Sequence, residues 1–416
     1  MNILLLGNGF DLYYQLPTKY NNFLNTVEFL LNNYSDSDIK TIGDVFKSEV
    51  LQQNDSFIRN SYQKYQDAYN TVELDELKIK ELLKLMKDNI WFKYLVKSFN
   101  KDVGWIDFEK EISLVVNSFR NFFQECDIIM TKNVSELSEV DRYIITYFDF
   151  FLDDISYKGA EYKGKSYKYY RMVKNEYLLE YPLDSEHFII NRELIVKDLA
   201  MKLEDLAKAL QIYLSCFVEA VFDKIESEIK ECKALFGTTH TVTLNYTNTY
   251  EKFFYVENVF HVHGVTSDRI VLGINPDKYD EMDFLDTSFI AFKKYFQRIM
   301  HETDFEYSKW IEELEDKKKE GEYCRLTVMG HSLDITDEDI IRTLFSSANE
   351  IVVLYHNVKA KSDYITNLVK IYGKQEFDEL RSKQKLAFRS VDDDFEWRVN
   401  KIISESSTEQ LIKDYL

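Results

Sequence analysis

The sequence predicts an α/β protein, a mainly parallel sheet with helices on both faces, interrupted by a large all-helical insertion. Three observations predict it. The chain opens on a continuous rather than alternating apolar run, Asn2 to Leu6, the pattern of a strand buried on both faces of a parallel sheet. After Gly237, short runs rich in β-branched and aromatic residues alternate with helical patterns. Between these parts, residues 36–235 show helical periodicity and no convincing strand.

The elements follow in order. Gly7-Asn8-Gly9 turns the chain out of the first strand and Pro17 is the next breaker. From Thr18 a helix is expected, because Tyr20, Phe23, Leu24, Val27, Leu30 and Leu31 fall at helical spacing. Within 36–235, two stripes place apolar side chains on one helical face: Phe108, Ile112, Val115, Phe119, Phe122, and Leu199, Leu203, Leu206, Leu210, Tyr213, Phe217. Packing between antiparallel helices accounts for both without a cofactor. The later strands are expected at Thr239 to Leu244, Val259 to Val262, Ile270 to Leu272, Leu326 to Met329 and Ile351 to Tyr355. Helical patterns around Ser288 to Met300, Thr336 to Ser346 and Asp363 to Tyr372 accompany them. Strands alternating with helices imply parallel pairing, so residues 1–35 and 236–416 form the sheet domain and 36–235 a helical insertion or cap.

Composition narrows the function. With 45% apolar and 15% aromatic residues in 416, the chain buries a large core, which excludes intrinsic disorder and small disulfide scaffolds. Only 12 glycines and 3 prolines mean few turns and long elements. Lys+Arg 52 against Asp+Glu 72 leaves a net charge of −20, which argues against nucleic acid as the main ligand. Cys126, Cys216, Cys232 and Cys324 contain no Cys-x-x-Cys pair, so neither a disulfide framework nor a zinc ribbon fits, and a reducing cytoplasm suits them. The apolar start is too short for a membrane span and lacks a basic lead-in, so neither secretion nor a bilayer is expected.

Four loops carry candidate chemistry. Gly7 and Gly9 allow the backbone close to a ligand, with amides that would face a diphosphate, although the third glycine of the dinucleotide fingerprint is missing and a tight strand exit reads equally well. Asp11 either binds ribose hydroxyls or caps local amides. Asn245, in Thr243-Leu244-Asn245-Tyr246-Thr247-Asn248, ends an apolar strand where open parallel sheets bind ligands; it either orients a water or a ribose hydroxyl or closes an Asx-turn. In His261-Val262-His263-Gly264 the pairing is short of ligands for a metal, so His263 is the candidate proton acceptor, Gly264 leaves room for a ligand, and His261 is either functional or a satisfied core histidine. In Gly330-His331-Ser332-Leu333-Asp334, Ser332 and Asp334 either hold ligand hydroxyls or cap the helix that follows. Separately, Gly159-Ala160-Glu161-Tyr162-Lys163-Gly164-Lys165-Ser166 fits the P-loop formula, but the preceding Asp153 to Lys158 is too polar for the buried strand that loop requires. A Tyr/Lys-rich exposed loop, 157–171, is the plainer reading, and contact with an acidic partner or a single-stranded nucleic acid a further one.

Taken together, Leu4-Leu5-Leu6-Gly7-Asn8-Gly9-Phe10-Asp11-Leu12, Leu16-Pro17-Thr18-Lys19-Tyr20, Leu244 to Thr249, His263-Gly264 and Met329 to Asp334 resemble the bacterial AbiH family, linked to abortive infection against bacteriophage. Trp105-Ile106-Asp107-Phe108-Glu109 also looks like a family block, with helix start and packing as its role. That family in turn resembles the sirtuin-like group, whose Rossmann-like domain binds NAD. The resemblance implies Asn245 and His263 as the catalytic pair. It implies Gly7, Asn8, Gly9, Asp11, Thr18, Tyr246, Gly264, Gly330, His331, Ser332 and Asp334 as residues around the nucleotide. Deacylating sirtuins carry two Cys-x-x-Cys zinc pairs and an aspartate two residues after the asparagine. This chain has neither pair and has Thr247 there, which argues against deacylation and a metal. The expectation is an antiphage NAD glycohydrolase with NAD as its substrate, a homo-oligomer that is silent until triggered, with a phage-derived trigger or a companion protein as its further partner and the helical block serving oligomerisation or sensing. The alternatives are a sensor that binds NAD or an NAD-derived signal without turnover, and a P-loop NTPase built on 159–166.

Overall fold

Six strands of the computed structural model form one sheet in which every neighbouring pair is parallel: β1 (Asn2–Leu6), β2 (His240–Thr243), β3 (Val259–His261), β4 (Arg325–Met329), β5 (Glu350–Tyr355) and β6 (Leu386–Ser390). Their order across the sheet is β6-β5-β4-β1-β2-β3. The structure describes residues 2–34, 39–99, 106–128, 138–148, 150, 160–162, 165–167, 174–180, 188–229, 240–254, 256, 259–275 and 287–392. The strand order is that of doubly wound nucleotide-binding sheets, and it reverses between β1 and β4. Ligands of such sheets bind outside the carboxyl ends of the strands at that reversal.

Alternation sorts the strand residues onto two faces. On one, Ile3, Leu5, Val242, Phe260, Leu326, Val328, Ile351 and Val353 join a buried cluster with Ile340, Leu344, Leu368 and Ile371 of the helices Glu338–Ser347 and Val358–Ser382. On the other, Leu4, Leu6, Thr241, Thr243, Val352 and Leu354 are buried as well. Register places Leu5 between Val242 of β2 and Val328 of β4. Each such side chain contributes roughly 1.5–3 kcal/mol by leaving water, so the continuous apolar runs fix both the register and the two-sided cover.

The chain divides into two compact units. One comprises Met1–Leu83, Lys208–Val271 and Arg298–Leu416 and holds the sheet; the other comprises Lys84–Ala207 and Leu272–Gln297. In the second, the helix Phe108–Ile128 buries Phe108, Ile112, Val115, Phe119 and Phe122, the face its spacing marks out. Asp107 starts this helix by accepting the Lys110 amide at 3.1 Å. Trp91 anchors the unit, its indole donating to the Leu199 carbonyl at 2.9 Å and its ring meeting Phe148 edge-on at 5.0 Å. The other stripe lies on the helix Arg192–Tyr213 and the π-helical turn Leu214–Val218 after it, with Leu199 to Phe217 buried at the six marked positions.

Three local expectations change. The helix after Pro17 is Tyr20–Asn33, because Thr18 is held outside it by a side-chain bond to Asn8 at 2.5 Å. Residues 270–272 make no strand: Ile270 forms one isolated bridge with Gly264, while Val271 donates its amide to His263 and accepts from the Tyr246 hydroxyl, which leaves its backbone groups spent on loops. Residues 36–235 do contain strands, two small antiparallel hairpins that pair Ala160–Tyr162 with Lys165–Tyr167 and Leu178–Glu180 with Phe188–Ile190. The first hairpin puts Lys165 and Ser166 in a strand, where a phosphate loop needs them at the head of a helix; Gly159, Lys163 and Gly164 lie outside the described residues, as does Trp105.

Candidate active site

All four loops singled out from the sequence leave carboxyl ends on one side of the sheet, those of β1 and β4, which flank the order reversal, and those of β2 and β3 next to β1. The loops after β1 and β4 touch through their backbones. Gly7 donates to Met329 O at 3.1 Å and Gly9 to Gly330 O at 2.7 Å. A Cβ on Gly9 would stand 2.7 Å from Gly330 Cα, and one on Gly330, whose φ is +72°, 2.1 Å from the Phe10 nitrogen. The glycines are therefore required by loop-to-loop approach. The amides of Gly7, Gly9 and Phe10 are spent inside the fold, the last on Gly7 O at 2.9 Å, so they do not make the diphosphate cradle that the Gly-x-Gly spacing suggests. Asn8 and Thr18 bond each other and close the same loop.

Asp11, in the short helix Gly9–Tyr13, is 1% exposed and reaches under the β2 loop. Its Oδ2 accepts the Thr247 hydroxyl at 2.6 Å, and Thr249 in turn donates to Thr247 at 3.0 Å. Burial pushes the Asp11 pKa from 3.8 up to about 7, against the hydroxyls of Thr247 and Thr249; the charge of Glu219 adds to the rise and Asn245 opposes it. The side chains of Thr249 and Asn245 also reach the Asp11 carboxyl and help hold its charge, whereas Asn245 Oδ1 is buried and meets no donor among the described residues.

The β2 loop is held on two more sides. Glu219 accepts from the Asn248 amide at 2.9 Å and from the Thr266 hydroxyl at 2.6 Å, while Thr266 donates its amide to Tyr246 O. Burial raises the pKa of Glu219 against those bonds. Glu219 directly follows the π-helical turn Leu214–Val218, whose extra residue per turn rotates the chain beyond it. His261, the last residue of β3, lies 2.9 Å from Asn245 O through Nδ1 and 2.5 Å from Glu251 Oε1 through Nε2.

His263 stands beyond the end of β3, so it does not share a pleat with His261, and the two imidazoles serve different carboxylates. His263 Nε2 is 3.1 Å from Asp337 Oδ1, and His331 Nε2 is 3.3 Å from Asp337 Oδ2. His331 Nδ1 accepts the Leu333 amide at 3.0 Å, which fixes its proton on Nε2. A carboxylate only accepts, so Asp337 takes an N–H from each imidazole, and the neutral form of His263 carries its basic lone pair on Nδ1. Gly264 has φ +78°, and a Cβ there would fall 1.8 Å from Arg269 O.

Asp334 caps the turn that follows β4 by accepting the Thr336 amide at 3.2 Å, the structural half of its two expected roles. Ser332 is exposed, and its carbonyl accepts from Asn367. Tyr246 is committed through its hydroxyl to Val271 O. Glu219, Glu251, Asp337, Thr247 and Thr249 complete the arrangement without having been marked out as site residues by the sequence. Among the described residues no group of three or more His, Cys, Asp or Glu side chains is arranged to hold a metal ion, and no helix is long and apolar enough to cross a membrane.

No curated protein and no solved structure matches the chain. The family model described as bacteriophage abortive infection AbiH matches residues 3–356 and so takes in β1 to β5 and every loop of this site. The chain belongs to the AbiH family of bacteriophage abortive infection.

Proposed function

We propose that this site binds NAD and hydrolyses its nicotinamide–ribose bond, so that the protein depletes NAD during infection. The observation that carries the reading is the buried acceptor Asn245 Oδ1, without a donor among the described residues, beside the buried Asp11 carboxyl at the carboxyl ends of β1 and β2. Buried acceptors left unmet cost on the order of 1–3 kcal/mol each, and ribose hydroxyls or a held water supply the donors. The resemblance to sirtuin-like NAD-binding proteins supports the same choice of ligand.

The chemistry then needs little. The bond from ribose C1′ to the cationic ring nitrogen breaks with its electron pair leaving on nicotinamide, which departs neutral. Water adds to the electron-poor C1′ and gives its proton to His263, held in one tautomer by Asp337. Asn245 orients the water or the ribose without adding charge beside the developing cation. Nicotinamide release by the purified protein, measured across its oligomeric states and with infected lysate, tests the reading. Release abolished by His263→Ala supports it. Calorimetric binding of NAD without release in any state would replace it by a sensor.

A further inference from the structure

The contacts of His261 involve neither Asp11 nor His263, yet one of them falls on the Asn245 backbone carbonyl. A carbonyl oxygen only accepts, so Nδ1 carries a proton toward Asn245 at 2.9 Å; a carboxylate only accepts, so Nε2 carries another toward Glu251 at 2.5 Å. Both contacts are satisfied together only by the doubly protonated ring. We propose that His261 is a positioning residue: as an imidazolium it ties the Asn245 carbonyl to Glu251 and so sets the direction of the Asn245 side chain. The inference rests on the role given above to Asn245.

The surroundings agree. Burial lowers the His261 pKa, but the bond and charge of Glu251, the Asn245 carbonyl and the charge of Glu219 raise it, and the net shift is upward. Glu251 faces the ring from the helix Thr249–Phe254 and Glu219 from the turn Glu219–Val221. On its other side the Asn245 backbone N–H donates to Thr243 Oγ1 at 3.1 Å, so the carbonyl is the end of the residue that His261 controls. A neutral ring keeps one N–H, so either the Asn245 backbone carbonyl or Glu251 then faces a lone pair, and the tie between them is broken as the pH rises through the pKa of His261.

The test is a heteronuclear NMR titration of the deuterated full-length protein, observing the His261 ring nitrogens and the Asn245 carbonyl carbon. The expected result is a doubly protonated His261 at neutral pH, with the Asn245 carbonyl titrating at the same midpoint. A His261 ring neutral throughout pH 6–8, or an Asn245 carbonyl that does not follow it, overturns the proposal. Glu251→Gln adds the functional readout: kcat for nicotinamide release falls at least about tenfold with KM changed less than about twofold, and the alkaline limb of the profile moves to lower pH. An unmoved limb with full kcat overturns it too. If wild type releases no nicotinamide at all, the NAD reading fails, while the titration still decides the role of His261.

Discussion

Thr247 donates its hydroxyl to Asp11 at 2.6 Å, joining the loop after β2 to the short helix Gly9–Tyr13, 236 residues away in the chain. The bond brings a carboxylate under the loop that carries Asn245, in surroundings that push the Asp11 pKa from 3.8 to about 7. A residue of that kind at a sheet edge is more characteristic of a functional site than of a core, because folding alone gains nothing from it.

The first prediction concerns stability. An acid whose folded pKa lies above its unfolded one leaves the folded state holding more protons across the interval, so stability falls as pH rises from about 4 to about 7. Asp11→Asn keeps an acceptor for Thr247 and removes the charge. Relative to wild type, the variant should gain roughly 2–3 kcal/mol between pH 5 and pH 8. Denaturant melts at the two pH values check it. An unchanged difference contradicts the placement of Asp11.

A second prediction separates two glycines that share a positive φ. At Gly330 a methyl group meets the Phe10 nitrogen at 2.1 Å, whereas at Gly321, φ +85°, nothing lies within 4 Å. Gly321→Ala should cost only the backbone strain, about 1–2 kcal/mol. Gly330→Ala adds a clash with main chain and should cost about 3 kcal/mol or more. Equal costs, measured by chemical denaturation, would show that the loops after β1 and β4 are not in contact.

The carboxyl-edge position of Asp11, Asn245, His263 and Gly330 was legible because each follows a short apolar run bounded by turn residues, buried on both faces in β1, β2 and β4 and half-buried at the edge in β3. Their partners were not. Glu219 sits where an unbroken stripe from Leu199 to Phe217 reads as plain helix, and only the π-helical turn at Leu214–Val218 re-aims it toward Asn248 and Thr266. Glu251 and Asp337 look like ordinary acidic residues at helix starts, since a sequence displays local capping and conceals contacts made 10 and 74 positions away. β6 and the helix Asp304–Lys319 went unread for a related reason: β6 is an edge strand with one fully buried residue, and the helix turns mostly charge outward around Trp310, Ile311 and Leu314.

A third prediction addresses the bridge between imidazoles. Asp337→Asn keeps size but offers one acceptor oxygen in place of two, so His263 and His331 no longer both have one. Nicotinamide release should fall by about 10²-fold or more, the usual contribution of a positioned base, with KM little changed. Full activity would remove His263 from the proton-transfer role.

The most direct measurement is a nucleotide profile of phage-infected cells that express either wild type or His263→Ala at equal level. NAD should fall and ADP-ribose and nicotinamide rise in the wild-type cells alone, in step with protection of the culture. Protection by wild type with NAD held at the level seen in His263→Ala cells would contradict the account.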